Sequence, residues 1–404
     1  MPISLGQARE RIAVALLGRR MAVERIAAGA SAGRVLAADS MAGFAQPGLP
    51  CSAMDGYAVD SRSLGAGQHR LRLVGRSLAG GGLPAPLPAG ATLRITTGAP
   101  LPQGADAVVI QENVQIEGDW VCFDGPILSA AHVRQAGEDF AAGSTVLSAD
   151  QRVGPVERAL LAALGQTEVR VRAQPRVAVV STGDELVAAG EPRRPDQVHD
   201  SNGPMLAALV LRTGGMPLPL VQLADEEDSL LAGLRRQAAS ADLLVTAGGA
   251  SVGDADLLPG LLARHGVVHF HRIRLKPGMP CLFGELDGCP ILALPGNPVS
   301  AFISFLLLGR FALRLLLGLD PKDPDALPVH LTQPVRKKHD RMEMQRCRLQ
   351  VMEGRLQATP LPAQGSHLLS GLRAADALLE LPEGPLDWPA GQVARAWRIH
   401  DWWA

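Results

Sequence analysis

The sequence predicts a multidomain protein of the α/β plus β class. A mostly parallel α/β domain with helices on both sheet faces is joined by a small inserted β domain, a helical N-terminal segment and a C-terminal β module. Three observations carry this reading. The chain has 404 residues, which at roughly 100 to 200 residues per domain is two to four cores. Apolar runs alternate with helical spacings over residues 176–319, the rhythm of a sheet whose strands are joined by helices. On either side lie short apolar runs cut by Gly and Pro, the pattern of small β domains.

Leu5, Ala8, Ile12, Leu16 and Leu17 recur at helical spacing. Arg9, Glu10 and Arg11 stand before the apolar residues 12–17 with no small-residue cleavage site, so an amphipathic helix is expected rather than a signal peptide. Residues 44–50 are rich in Gly and Pro and cannot continue a helix, which puts a boundary near residue 41. Strand-like runs follow at 71–74, 107–110 and 121–123. Pro155 opens a helix over 155–164, expected to pack on the N-terminal helix.

Next come strands at 177–180, 218–223, 242–246, 267–275 and 291–294, with helical spacing at 205–210, 230–238, 257–263 and 301–317 between and after them. Pro321, Pro324 and Pro328 mark a linker, and the remainder, with Trp388, Trp397, Trp402 and Trp403, reads as a β module with its own aromatic core. The resulting division is 1–40 plus 141–172, 41–140, 173–320 and 321–404.

Composition excludes several classes. Lys plus Arg number 39 against 40 Asp plus Glu, so no basic nucleic-acid footprint exists. The most apolar segment, 301–319, is interrupted by Arg310 and Arg314 on one helix face, which fits a packed helix better than a membrane span. Five cysteines contain no C-x-x-C pair, pointing to a reducing cytoplasm without disulfides or a cysteine zinc site. Neither H-E-x-x-H nor G-x-S-x-G is present, so zinc-protease and serine-triad chemistry lack support.

In open parallel sheets ligands sit beyond the carboxyl ends of the strands, where helix N-termini offer free N–H groups. Three loops have that placement: 181–185 (Ser-Thr-Gly-Asp-Glu), 247–256, and 294–300 (Leu-Pro-Gly-Asn-Pro-Val-Ser). Their glycines let an oxyanion approach the backbone and their hydroxyls add donors. Each loop alone reads equally as a tight turn with a capping residue. Glu185, Asp254 and Asp256 beside those glycines point to a hard divalent cation such as magnesium between carboxylate and anion. The other reading makes Asp254 a helix cap and Glu185 a solvated first-turn acid. Arg272, Arg274 and Lys276 alternate along the 267–275 strand and its end, so they share a face, either as cations at a ligand or as a charged edge. Asp55, next to the only tyrosine, Tyr57, reads on its own as a turn residue. The basic residues of 336–348 read by default as a solvated face.

Together these segments resemble the MoeA family, which includes the E domain of gephyrin and completes molybdenum cofactor synthesis. The resemblance spans essentially the whole chain. It is carried by residues 52–59 (Ser-Ala-Met-Asp-Gly-Tyr-Ala-Val), 97–100 (Thr-Gly-Ala-Pro), 137–139 (Gly-Glu-Asp), 181–186, 200–203 (Asp-Ser-Asn-Gly), 248–256, 276–278 (Lys-Pro-Gly), 294–300 and 364–367 (Gln-Gly-Ser-His).

The resemblance implies an elongated homodimer of four-domain subunits: a helical domain from two segments, an inserted β domain, a MogA-like three-layer α/β domain and a C-terminal β barrel. It implies that molybdate and adenylylated molybdopterin become molybdenum cofactor and AMP, with Mg2+ or a similar divalent cation, in the cytoplasm. The alternative is a non-catalytic molybdopterin-binding scaffold or storage protein. A MogA-type adenylyltransferase and molybdoenzyme delivery proteins are the implied partners, with neither nucleic acid nor membrane.

Carried over by position, the reacting groups are Asp55, Asp139, Glu185, Asp225, Asp256 and Lys276, with Glu185 and Asp256 at the metal. Ser251 and Lys276 contact the anion or the pterin phosphate, and Thr97 joins Asp55 and Asp139 in facing the other subunit's α/β domain. Gly183, Gly248, Gly249, Arg272, Pro295, Gly296, Asn297 and Pro298 complete the binding loops, and Arg346 and Ser366 contribute from the barrel. Two positions depart from the family: Arg272 where lysine is frequent, and Met279 where some members carry a second lysine.

Overall fold

The computed structural model describes residues 1–249 and 257–403. At its centre is a seven-stranded sheet ordered Met216–Pro217, Arg176–Thr182, Leu243–Ala247, Cys289–Leu294, Leu282–Leu286 and Gly266–His271, with Val221–Leu223 also paired to Arg176–Thr182. Pairings from Met216–Pro217 to Cys289–Leu294 are parallel, and the last two strands add antiparallel at one edge.

Successive strand residues face opposite sides. Val177, Val179, Leu243, Val245, Leu292 and Leu294 enter one core, with helices Asn202–Thr213, Pro298–Ser304 and Arg310–Leu317. Ala178, Val180, Leu244, Ile291 and Ala293 enter the other, with Glu227–Ala238 and Leu258–His265. Burial on both faces is why these strands read as unbroken apolar runs. The helical segment Pro298–Leu317 is long and apolar enough to cross a membrane, yet 83% of its apolar window is buried in this core.

The N-terminal helix Leu5–Ala15 starts at a capping box of Ser4 and Gln7. Its buried stripe of Ala8 and Ile12, continued by Leu16, enters the first α/β core. It does not pack on helix Pro155–Ala163 as expected. That helix buries Leu161 against Leu36, Val169 and Val171, on a two-stranded ribbon of Val23–Ala27 and Glu168–Arg172. The ribbon already offers the apolar face that helix needs, leaving the N-terminal stripe to the larger core.

The inserted β region forms a six-stranded sheet ordered Ala107–Ile110, Gly56–Val59, Ala91–Ile95, Gln68–Ser77, Trp120–Asp124 and Gln115–Glu117. Tyr57 and Val59 face one small core, Ala58 the other. At the C-terminus, Met342–Met352, Arg355–Pro360, Leu327–Leu331, Val393–Arg398 and Ala377–Leu381 close into a five-stranded barrel, because Ala377–Leu381 pairs back to Met342–Met352.

The barrel's core is aliphatic, with Val329, Leu331, Leu379, Leu381 and Ala396, and Trp388 only at its margin. Trp397 and Trp402 instead enter the α/β core, where Trp402 is fully buried beneath the Arg310 guanidinium, 5.7 Å from its ring. Indole area is buried most effectively in the largest available core, so the tail residues join the barrel to the α/β domain.

The predicted 267–275 strand is also two pieces. Gly266–His271 belongs to the α/β sheet, while Leu275–Lys276 adds in parallel to Met342–Met352 of the barrel. Between them Arg272 adopts φ 74°, which ends the side-chain alternation. Arg272, Arg274 and Lys276 therefore share no strand face: Arg274 pairs with Glu383 and Lys276 with Glu343.

Candidate functional site

The three loops leave neighbouring strand ends. Ser181 is in register with Ala247, and Ala247 with Leu294, so the strand ends carrying them are adjacent. Loop 181–185 does not run straight into a helix. It enters the short strand Leu186–Val187, paired with Val198–His199, and the helix begins at Asn202. Glu185 is thus no first-turn acid; Asp200 instead accepts the Gly203 N–H at 2.9 Å and the Ser181 hydroxyl at 2.7 Å.

Two glycines show why the sequence is restricted here. Gly183 has φ 146°, and a methyl group on it would lie 2.6 Å from the Glu185 carboxylate. Gly248 has φ 99°, and its methyl would lie 2.5 Å from the Thr182 carbonyl. A side chain at position 248 would strike backbone, and at both positions the positive φ disfavours any residue but glycine.

A cavity of about 720 Å³ lies over these loops. Gly183, Glu185, Asp225, Gly248, Gly249, Pro295, Gly296, Asn297 and Pro298 all line it, as do His199, Asn202 and His367. The Asp184 carboxylate accepts the Asp225 N–H at 3.2 Å, bringing a third acid to this end. A second cavity of about 350 Å³ is lined by Lys276, Met279, Arg341, Glu343 and Ser366. Pro280, Pro295 and Asn297 line both, so the two adjoin. The cleft runs from carboxylates at the sheet to cations at the barrel. Helix Pro298–Ser304 begins at this cleft; Pro298 has no N–H and the Val299 N–H donates to the Ser366 carbonyl at 3.0 Å, so what this end offers an anion is chiefly the positive end of the helix dipole.

Other predicted residues lie elsewhere. Arg346 lines neither cavity; it is buried, and its guanidinium donates to the carbonyls of Ala363, Gly365 and Leu368 at 2.8 to 3.0 Å. It braces the loop that carries Ser366. Burial pushes its pKa below the usual arginine value. Arg272 lines neither cavity, its backbone being turned by the left-handed conformation described above. Asp55, Thr97 and Asp139 belong to the inserted β region and line neither cavity. The Asp55 carboxylate accepts the Thr97 N–H at 2.7 Å and its hydroxyl at 2.9 Å, which hold it below the ordinary aspartate range. Ser251, Asp254 and Asp256 lie outside the described residues.

Sequence reasoning missed the roles of Asp200 and Asn202, although both stand in the Asp-Ser-Asn-Gly segment, and of Arg341 and Glu343. Arg341 offsets one departure from the family: its Nη1 lies 3.9 Å from the Met279 sulfur, putting a guanidinium where that lysine is missing. Among the described residues, no three His, Cys, Asp or Glu converge as a metal site. Glu185, which lines the larger cavity, offers the oxygen donors a hard cation takes, and Asp256, the other predicted ligand, is outside the described residues.

Comparison with known proteins matches three family models. "MoeA N-terminal region (domain I and II)" covers residues 3–165, "Probable molybdopterin binding domain" 178–315, and "MoeA C-terminal region (domain IV)" 328–398. Molybdopterin molybdenumtransferase 2 of Mycobacterium tuberculosis is 37% identical over 91% of this chain and 93% of its own length. Molybdopterin molybdenumtransferase of Haemophilus influenzae is 34% identical over 90% of both. The crystal structure of a molybdopterin biosynthesis MoeA protein from Pyrococcus horikoshii superposes with a TM-score of 0.82 at 25% identity, covering 98% of this chain and 99% of that one. With matched models spanning nearly its full length and relatives above 30% identity aligned end to end, the chain belongs to the MoeA family, the molybdopterin molybdenumtransferases of molybdenum cofactor biosynthesis.

Proposed function

We propose that the cleft joins molybdate to adenylylated molybdopterin, forming molybdenum cofactor and releasing AMP. The observation that carries this reading is the adjoining of an acidic cavity over the α/β loops with a cationic one at the barrel. Both substrates are anions and repel one another, so the work is positioning and charge neutralisation. The helix N-terminus at Pro298 and the cations Lys276 and Arg341 offset negative charge where the substrates meet. As the two dithiolene sulfurs bond molybdenum they release two protons, and one molybdate oxygen leaves as water; a carboxylate in the same cavity, such as Glu185 or Asp225, would carry a proton between them.

Glu185, with Asp256, would hold Mg2+ or a similar divalent cation, which supplies charge neutralisation at the phosphate when bound. A pterin scaffold has no need of such acids beside its anion loops, so turnover is the better reading.

Asp55, Thr97 and Asp139 reach the reaction, in this reading, from the β region of a second copy in a homodimer. Free cysteines throughout the described chain support a reducing cytoplasm. A MogA-type adenylyltransferase would supply the adenylylated pterin, and molybdoenzyme delivery proteins would take the product. AMP release by the purified protein, given adenylylated molybdopterin and Mg2+, tests the reading. It should depend on added molybdate and yield active cofactor; tight pterin binding with neither product would favour the scaffold.

A further inference from the structure

The strand Leu275–Lys276 is paired to the barrel so that Lys276 is in register with Glu343. The Lys276 ammonium lies 3.1 Å from Glu343 Oε1, with the lysine side chain 44% exposed and the glutamate 6%. The carboxylate is held from two further directions. Gln345 Nε2 donates to Oε1 at 3.2 Å, and His339 Nε2 lies 2.9 Å from Oε2. His339 Nδ1 is buried with no partner, and Nε2, facing a carboxylate that can only accept, is the ring nitrogen that donates. The nearby Lys337 ammonium is already committed, donating to the carbonyls of Arg341 and Pro382 at 2.6 Å each.

The two members of this pair are unequal. Glu343 is buried on a barrel strand and held by His339 and Gln345 as well as by the Lys276 charge, whereas Lys276 sits on a cavity wall at the end of a flexible four-carbon stem. An ammonium has three N–H donors, so the ion pair with Glu343 fixes the head while leaving donors for a ligand. Lysine free to sample many rotamers loses that freedom whenever it engages an anion. A buried acceptor at the right point removes most of that loss in advance.

We propose that Glu343 is a positioning residue: clamped by His339 and Gln345, it holds the Lys276 ammonium toward the cavity so that an oxyanion substrate meets an ordered donor. The proposal rests on the transferase reading above for the identity of that substrate, molybdate.

The experiment is a double-mutant cycle on the full chain with Lys276→Ala, Glu343→Gln and both together. It is read twice: by the molybdate dependence of AMP release, and by equilibrium dialysis against molybdate alone. Glu343→Gln should raise the half-saturating molybdate concentration about tenfold while changing kcat less than about threefold. Lys276→Ala should weaken binding at least as much, and the double variant should be no worse than Lys276→Ala, because coupled residues do not add. Gln345→Ala, which loosens the same carboxylate without removing charge, should give a smaller change in the same direction and serves if Glu343→Gln fails to fold. Additive losses would show that Glu343 acts independently of Lys276. Tighter molybdate binding by Glu343→Gln would show that the acid masks the lysine. Either result overturns the proposal, as does absence of molybdate binding by the unaltered protein. Molybdate binding without AMP release would instead sink the transferase reading and leave the cycle to be decided by dialysis.

Discussion

The Asn202 side-chain amide donates to the Gly296 carbonyl at 2.7 Å, tying the start of helix Asn202–Thr213 to the loop that follows strand Cys289–Leu294. Its Oδ1 is buried without a partner. Asn202→Ala therefore removes one hydrogen bond, worth about 1 kcal/mol net, together with an orphan acceptor costing about as much. Overall stability should change by less than about 1 kcal/mol, while the loop over 295–298 loosens. The KM for adenylylated molybdopterin should rise about tenfold, equivalent to about 1.4 kcal/mol. A lowered Tm with unchanged KM would contradict this assignment.

Asp55 is held below its ordinary pKa first by the Thr97 backbone N–H and then by the Thr97 hydroxyl. A carboxyl whose folded pKa is lowered stabilises the fold above its unfolded value, about 3.9, and loses that contribution as pH falls through the folded value. Thr97→Val removes the second donor and leaves the first. Carbon-13 NMR of the Asp55 carboxyl should show its pKa moving part of the way back up, so that its contribution begins to fade at higher pH. An unmoved titration would mean that the hydroxyl does not matter.

Arg346 acts through the loop it braces. Truncating it to alanine removes three hydrogen bonds made by a buried guanidinium and the packing of its stem, so Arg346→Ala should cost about 3 kcal/mol in urea unfolding. It should also lower kcat/KM at least about tenfold by releasing Ser366. Arg346→Lys should recover only part, since an ammonium cannot reproduce the guanidinium fork. Equal activity in the alanine variant would rule out the bracing role.

Trp402 is fully buried against the α/β core, although it follows the last barrel strand. Trp402→Ala should destabilise by about 3 to 5 kcal/mol, as large aromatic truncations do. Because it links barrel to α/β domain, the loss should also weaken molybdate binding in the cavity between them. Equilibrium unfolding combined with dialysis measures both, and a purely local loss would leave binding unchanged.

Periodicity made much of the architecture legible. Strand Arg176–Thr182 and its neighbours show as apolar runs because both faces are buried, and helix Leu5–Ala15 shows its stripe at helical spacing. The anion loops were legible too, since Gly183 and Gly248 sit where only glycine fits. Local chemistry misled where partners are distant in sequence. Arg346 reads as a ligand-binding cation, yet its guanidinium is spent on carbonyls 17 to 22 residues away.

From the residues alone come the alternation of strands and helices, the three loops at parallel strand ends and the family to which the motifs belong, because each depends on short-range pattern and turn chemistry. Tertiary structure assigned Trp397 and Trp402 to the α/β core, split the 267–275 segment between two sheets and set Lys276 against Glu343. Those outcomes depend on register between strands some 67 residues apart and on which core has room for a side chain, and no local pattern encodes either one.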